Sequence, residues 1–174
     1  MENIVLNGTW SLKGKSQCRE TENIISIDAQ VPGCVQLDLS KAGSLPKDLF
    51  MGQNILEAEK YEEYEWWHER KFIAPKQRRN VYLVFEGVDC LAEYFLNGVK
   101  LGESQNMLIA HEFRVDDALC DGENVLTVHI SSAMLSASKE DYPIRLLHSN
   151  KLLLKSRSKQ SLRRRRKALP SPVI

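Results

Sequence analysis

The 174-residue chain has no run approaching the ~18–20 consecutive apolar residues of a membrane-spanning helix, so no membrane role is expected. Its start, Met1-Glu2-Asn3-Ile4-Val5-Leu6-Asn7-Gly8, lacks both a basic segment and an apolar stretch, and no secretory leader is read there. The four cysteines, at 18, 34, 90 and 120, form no Cys-x-x-Cys pair and no zinc spacing. Without a leader they are expected as reduced thiols of a cytoplasmic protein, with two disulfides as the alternative. The sequon Asn7-Gly8-Thr9 then carries no expectation of glycosylation. His68 and His111 each stand alone, with no Ser, Cys or second ligand at a meaningful spacing, so the reading assigns no metal and no cofactor.

Acidic residues are absent from one region only. Residues 145–174 contain 10 Lys and Arg and no Asp or Glu, a charge of +10, whereas residues 1–144 contain 14 Lys and Arg against 23 Asp and Glu, or −9. The overall +1 therefore joins an acidic body to a basic end. A hydrophobic content of 43% is ordinary for a globular domain and excludes disorder of the whole chain.

Alternation of apolar and polar residues dominates from 24 to 132. Ile25, Ile27 and Ala29 alternate with Ser26, Asp28 and Gln30 up to the Val31-Pro32-Gly33 turn, which reads as a half-buried strand. Further strands are expected over 66–73, 81–85, 91–96, 99–102, 110–115 and 125–131. The run 81–85 is almost wholly apolar and reads as a central strand. Asn97-Gly98 between two strand patterns signals a two-residue hairpin, since both central residues of that turn need positive φ. Helical spacing is scarce: residues 35–42 place Val35, Leu39 and Ala42 on one face with Gly43 as a C-cap, and 57–65 is either a helical turn or an irregular loop. Many short strands with little helix predict an all-β, antiparallel two-sheet sandwich. Leu83, Phe85, Leu126, Val128 and Ile130 are its expected inner face, with Trp10 and either Trp66 or Trp67 filling the space between the sheets.

Several segments then occur in a meaningful order. Leu6-Asn7-Gly8-Thr9-Trp10-Ser11-Leu12 opens the chain. Val31-Pro32-Gly33-Cys34-Val35 is followed by Leu37 and Leu39, and Asn54 precedes an acidic loop. Trp66-Trp67-His68-Glu69-Arg70-Lys71-Phe72, Phe85-Glu86-Gly87-Val88-Asp89, Leu96-Asn97-Gly98 and Gly122-Glu123-Asn124-Val125-Leu126 complete the series. Together they resemble the N-terminal sugar-binding domain of family 2 glycoside hydrolases, most of all its β-mannosidase branch. The resemblance implies a jelly-roll sandwich of the galactose-binding-domain type over residues 1–146, an accessory to a retaining glycosidase that hydrolyses terminal β-mannose or related β-glycosides.

That resemblance also implies where catalysis does not lie. Retaining enzymes use two carboxylates about 5–5.5 Å apart, which in this family stand on a (β/α)₈ barrel far downstream. The family's Trp-Asp-Trp-Gly-Pro stretch is absent, and the basic segment occupies its place. Glu69, Glu86 and Asp89 are expected to bond turn backbone and Arg70 rather than act as acid and base. No catalytic or metal residue is assigned, and the substrate-binding residues are left unknown. Hydrolysis is not expected of this chain alone. Carbohydrate is the expected partner of the full enzyme, and the missing barrel the expected intramolecular one.

Residues 147–174 keep no apolar period and are expected as a disordered basic tail. A shifted or early-ended reading frame, a natural terminus of a split enzyme, and an anion-binding tail are its three readings. Two other functions follow: a stand-alone carbohydrate-binding module, and a nucleic-acid-associated protein acting through the tail. The tail lacks the aromatics that stack bases, which weighs against nucleic acid.

Overall fold

The computed structural model describes residues 3–18, 24–76 and 79–140. The basic tail and the expected boundary at 146/147 lie outside the described residues. Among those described, the chain forms β1 (Gly8–Ser16), β2 (Ile25–Val31), α1 (Val35–Lys41), a 3-10 helix (Asn54–Tyr61), β3 (Tyr64–Ile73), β4 (Tyr82–Phe85), β5 (Ala92–Leu96), β6 (Val99–Ser104), β7 (His111–Arg114), β8 (Glu123–Ile130) and α2 (Ala133–Ala137). The described residues up to Met134 belong to one compact unit and those from Leu135 onward to another.

Every strand pairing is antiparallel. One sheet has six strands in the order β2-β1-β3-β8-β5-β6, and the other has β4 and β7 alone. The two face one another as the expected sandwich. Alternation sets the inner face of the long sheet: Trp10 and Leu12 from β1, Tyr64 and Trp66 from β3, Ala92, Tyr94 and Leu96 from β5, and Leu126 and Val128 from β8 are all buried.

Two apolar clusters cover that face. Trp10, Tyr94, Leu96, Val115, Leu119, Leu126 and Val128 form the first, with Leu83, Phe85 and Phe113 of the short sheet packed on it. Phe85, Tyr94 and Phe113 pack as an aromatic trio with centroids 4.2–6.0 Å apart. The second gathers Leu12, Ala29, Leu39, Leu45, Leu49, Tyr64 and Trp66 beneath α1 and the 3-10 helix. Here helix and loop do the covering that strands do on the other side.

The hairpin is as the sequence predicts: Asn97 and Gly98 have φ of 52° and 81°, joining β5 to β6. Its asparagine does more than turn the chain. Asn97 Nδ2 donates to the Ala118 carbonyl (2.8 Å) and to Asn124 Oδ1 (2.7 Å), while Asn97 Oδ1 accepts from the Val125 N–H (2.9 Å). The fully buried Asn124 also accepts from the Cys120 N–H and donates to the Cys120 and Gly122 carbonyls. A buried polar pair is tolerated because its hydrogen-bonding groups are partnered.

Two expectations need correction, one strand has no counterpart in the sequence reading, and one open alternative is decided. Residues 81–85 are not central: β4 belongs to the two-stranded sheet, and its run is apolar on both faces only because Tyr82 and Val84 are left exposed. β1 was missed as a strand, because Gly14 and Ser16 stand at inward positions where an apolar residue would mark the period. Gly14 is small for a reason: a Cβ there would lie 2.3 Å from the Trp66 indole. Ala42 is exposed rather than on the buried face of α1, which instead buries Asp38, Leu39 and Ser40. Trp66 fills the core, whereas Trp67 lies on the opposite, outward face of β3.

Candidate functional site

Three places combine chemistry with accessibility or incomplete burial. The first is the outer face of the long sheet. Register aligns Lys13, Trp67, His129, Glu93 and Glu103 in a row across β1, β3, β8, β5 and β6. Trp67 and His129 stack with centroids 4.7 Å apart and planes 11° from parallel. His129 lies between two carboxylates, Nδ1 against Glu93 and Nε2 against Glu65, each at 3.1 Å. Lys100 bonds Glu93 at 2.5 Å and Glu103 at 3.0 Å. Lys100 first, and His129 second, hold the Glu93 carboxyl below its ordinary range. Sequence reasoning missed this cluster, since its members come from five strands and only the register unites them.

The second place is the layer made by α1 and the chain around the 3-10 helix. Cys34, Leu37, Leu49, Phe50, Ile55 and Leu56 line an open, largely apolar cleft of about 550 Å³, with Glu59 and Glu62 also on its wall. Phe50 is 88% exposed and its neighbour Met51 64%. Scattered exposed apolar residues are normal, but a contiguous group of this kind marks a surface meant to be covered.

The third is the inner face of β3 between the two clusters. His68 and Arg70 point inward there, and His68 Nδ1 and Arg70 Nε are buried with no hydrogen-bond partner among the described residues. β1 pairs with β3 only from Ser11 onward, and Arg70 reaches across the gap before it to donate through Nη1 to the Thr9 carbonyl. Burial lowers the pKa of the His68 imidazole, against a smaller opposing pull from the Asp38 carboxylate.

The carboxylates singled out by sequence fall elsewhere. Glu69 sits on the outer face of β3 between Ser11 and Thr127, while Glu86 and Asp89 lie in the loop between β4 and β5. Arg70 bonds the Thr9 carbonyl instead of one of them. Burial, with the adjoining Asp89 charge next, pushes the Cys90 thiol up. His111 bonds the backbone carbonyl of Asn106 at 3.0 Å. Cys34, Cys90 and Cys120 are free thiols. Among the described residues, no helix is long and apolar enough to cross a membrane.

Known proteins place this architecture. The sequence profile described as "Glycosyl hydrolase 2 galactose-binding domain-like" matches residues 10–168. Beta-mannosidase B of Emericella nidulans is 33% identical over 136 residues, which cover 76% of this chain and 16% of that protein. A probable beta-mannosidase of Caenorhabditis elegans is 29% identical over 76% of this chain and 15% of its own length. The crystal structure of a beta-D-mannosidase from Dictyoglomus thermophilum superimposes with a TM-score of 0.72 at 39% identity, covering 86% of this chain and 18% of that one. The chain thus spans about a sixth of the length of the curated relatives it matches. With its sandwich, its ordered motifs and the profile in agreement, the chain belongs to the glycosyl hydrolase 2 galactose-binding domain-like family.

Proposed function

We propose that the chain is the accessory sandwich domain of a β-mannosidase-like retaining glycoside hydrolase. Hydrolysis of terminal β-mannose or a related β-glycoside then belongs to the part of the longer relatives that this chain does not span. The domain covers residues 1–146 in this reading, and 147–174 form a basic tail. No residue of the sandwich is assigned a catalytic role. The observation that carries the reading is the apolar cleft at Leu37, Phe50, Ile55 and Leu56, a surface suited to leaning on a larger body. Exposed free thiols at Cys34 and Cys120 favour a reducing compartment, so cytoplasmic residence is part of the proposal.

A domain exchange tests it. Residues 1–146 of this chain replace the matching segment of the Dictyoglomus thermophilum enzyme, and release of nitrophenol from an aryl β-mannoside is measured. An active chimera that Phe50→Asp inactivates supports the reading. A folded chimera without activity, or turnover by the isolated chain, overturns it.

A further inference from the structure

On the outer face of the long sheet, one side chain makes two contacts that a neutral histidine cannot both satisfy. His129 of β8 sets Nδ1 3.1 Å from a Glu93 oxygen and Nε2 3.1 Å from a Glu65 oxygen. A neutral imidazole has one N–H and one bare nitrogen, so it donates to one carboxylate and turns a lone pair on the other. Only the imidazolium, protonated on both nitrogens, donates to both. Register brings the three together. Glu93 of β5 stands opposite His129 on one side and Trp67 of β3 on the other, with Glu65 the next outward residue along β3. The Trp67 ring, stacked on the imidazole with centroids 4.7 Å apart, fixes the plane in which the two nitrogens point.

Charged groups face this ring from every neighbouring strand. β3 brings Glu65 and, beside Thr127, Glu69; β5 brings Glu93, opposite Glu103 of β6. Lys100 of β6 bonds both Glu93 and Glu103, while Lys15 and Lys13 of β1 stand opposite Glu65 and Trp67. Bonds from Lys100 first, and His129 second, hold the Glu93 carboxyl below its ordinary range, so it is an anion wherever histidine titrates. Only 14% of the His129 side chain is exposed, and water replaces a lost carboxylate bond poorly there. β3 and β5 do not pair with each other; each is joined to the sheet's centre through β8. We infer that His129 is a proton-dependent tie between them: its doubly protonated ring joins Glu65 of β3 to Glu93 of β5 across β8, and loss of one proton releases one of the two. The joint between the strands therefore weakens as pH rises. That sense is opposite to the effect of His68, whose burial favours the neutral ring. The tie stands independently of the glycosidase reading.

Two double-mutant cycles in the full chain, read by denaturant unfolding, test it. One combines His129→Ala with Glu65→Ala and the other His129→Ala with Glu93→Ala. Each is measured at about pH 5.5 and about pH 8.5, either side of the ordinary range of histidine. Within a cycle the contributions of His68 and other distant groups cancel. At the acid pH both pairs are expected to favour folding by at least about threefold in the equilibrium constant, the upper range for ion pairs near the surface. At the alkaline pH at least one pair is expected to fall to about unity. Two couplings that both persist at the alkaline pH overturn the tie, and so does the absence of either at the acid pH. Nitrogen NMR of the His129 ring in the unaltered chain needs no variant to fold. Two N–H groups at the acid pH and one at the alkaline pH are expected; the same number at both overturns the tie.

Discussion

The two halves of the long sheet's inner face are buried by different means. Over β5, β6 and β8 lies another sheet, whose Phe85 and Phe113 interlock with Tyr94. Over β1, β2 and β3 lies a short helix, a 3-10 helix and loops, which bury Leu12 and Leu39 completely yet leave Phe50 and Met51 in water. One half is finished within the domain; the other carries a second surface outward. The lesson is that a domain's own core and its contact surface need not be separate layers, since the same residues that cover the core present the cleft.

Substitution can break this comparison. Leu126→Ala, in the sheet-covered half, is expected to cost about 2–5 kcal/mol by denaturant unfolding, because rigid strands on both sides cannot collapse into the cavity. Leu39→Ala, equally buried but under a seven-residue helix, should fall at the low end of that range, since α1 can shift inward. Equal losses would erase the distinction between the halves.

Next in size is the hairpin. Turn geometry alone makes Asn97→Gly nearly neutral and Gly98→Val costly, as a β-branched residue resists positive φ. The structure alters the first half of that expectation. Asn97→Gly strips the Ala118 carbonyl and the Val125 N–H of their side-chain partners, so a loss of about 1–3 kcal/mol is expected in the same measurement. A change below about 0.5 kcal/mol would show that water replaces both bonds.

A smaller effect sharpens the seam between the halves. Burial holds the His68 imidazole below its ordinary value of 6.5. The unfolded chain therefore takes up this proton first, and stability falls as pH drops through about 6.5 toward the lowered folded value. His68→Gln, neutral throughout, should flatten the dependence of Tm on pH in that window. An unchanged profile would assign the slope to other groups. The smallest expected effect is at Phe50: Phe50→Ser should leave stability by denaturant unfolding within about 0.5 kcal/mol, as expected of an exposed side chain. A larger loss of stability would mean that Phe50 belongs to the core.

Much of this fold was legible because its signals are local. Asn97-Gly98 specifies its turn through the φ that two adjacent residues tolerate, and β8 alternates cleanly from Asn124 to Ile130. β1 was hidden because packing against Trp66 demands glycine at 14, a tertiary requirement that a strand pattern does not display. β4 misled because Tyr82 and Val84 are apolar without being buried. The candidate sites were less legible still. Glu65, Glu93 and His129 are separated by 28 and 36 positions and meet through register alone. Nothing in Trp66-Trp67-His68-Glu69-Arg70 says that its third and fifth members are buried without full bonding.

Strand order has a consequence in time. The centre of the long sheet is the β3–β8 ladder, which joins Trp66 to Ile130 and Ile73 to Glu123. As the chain is synthesised from its N-terminus, β1, β2 and β3 can assemble early, but the inner edge of β3 finds its partner only when β8 emerges. β5 and β6 form a hairpin in the interval, yet they too attach through β8. The domain is thus two sub-assemblies awaiting one late strand, an order of events that favours slow folding and a long exposure of unpaired edges. A ribosome paused before residue 123 would hold two incomplete halves; one paused well beyond residue 130 would hold a closed sheet.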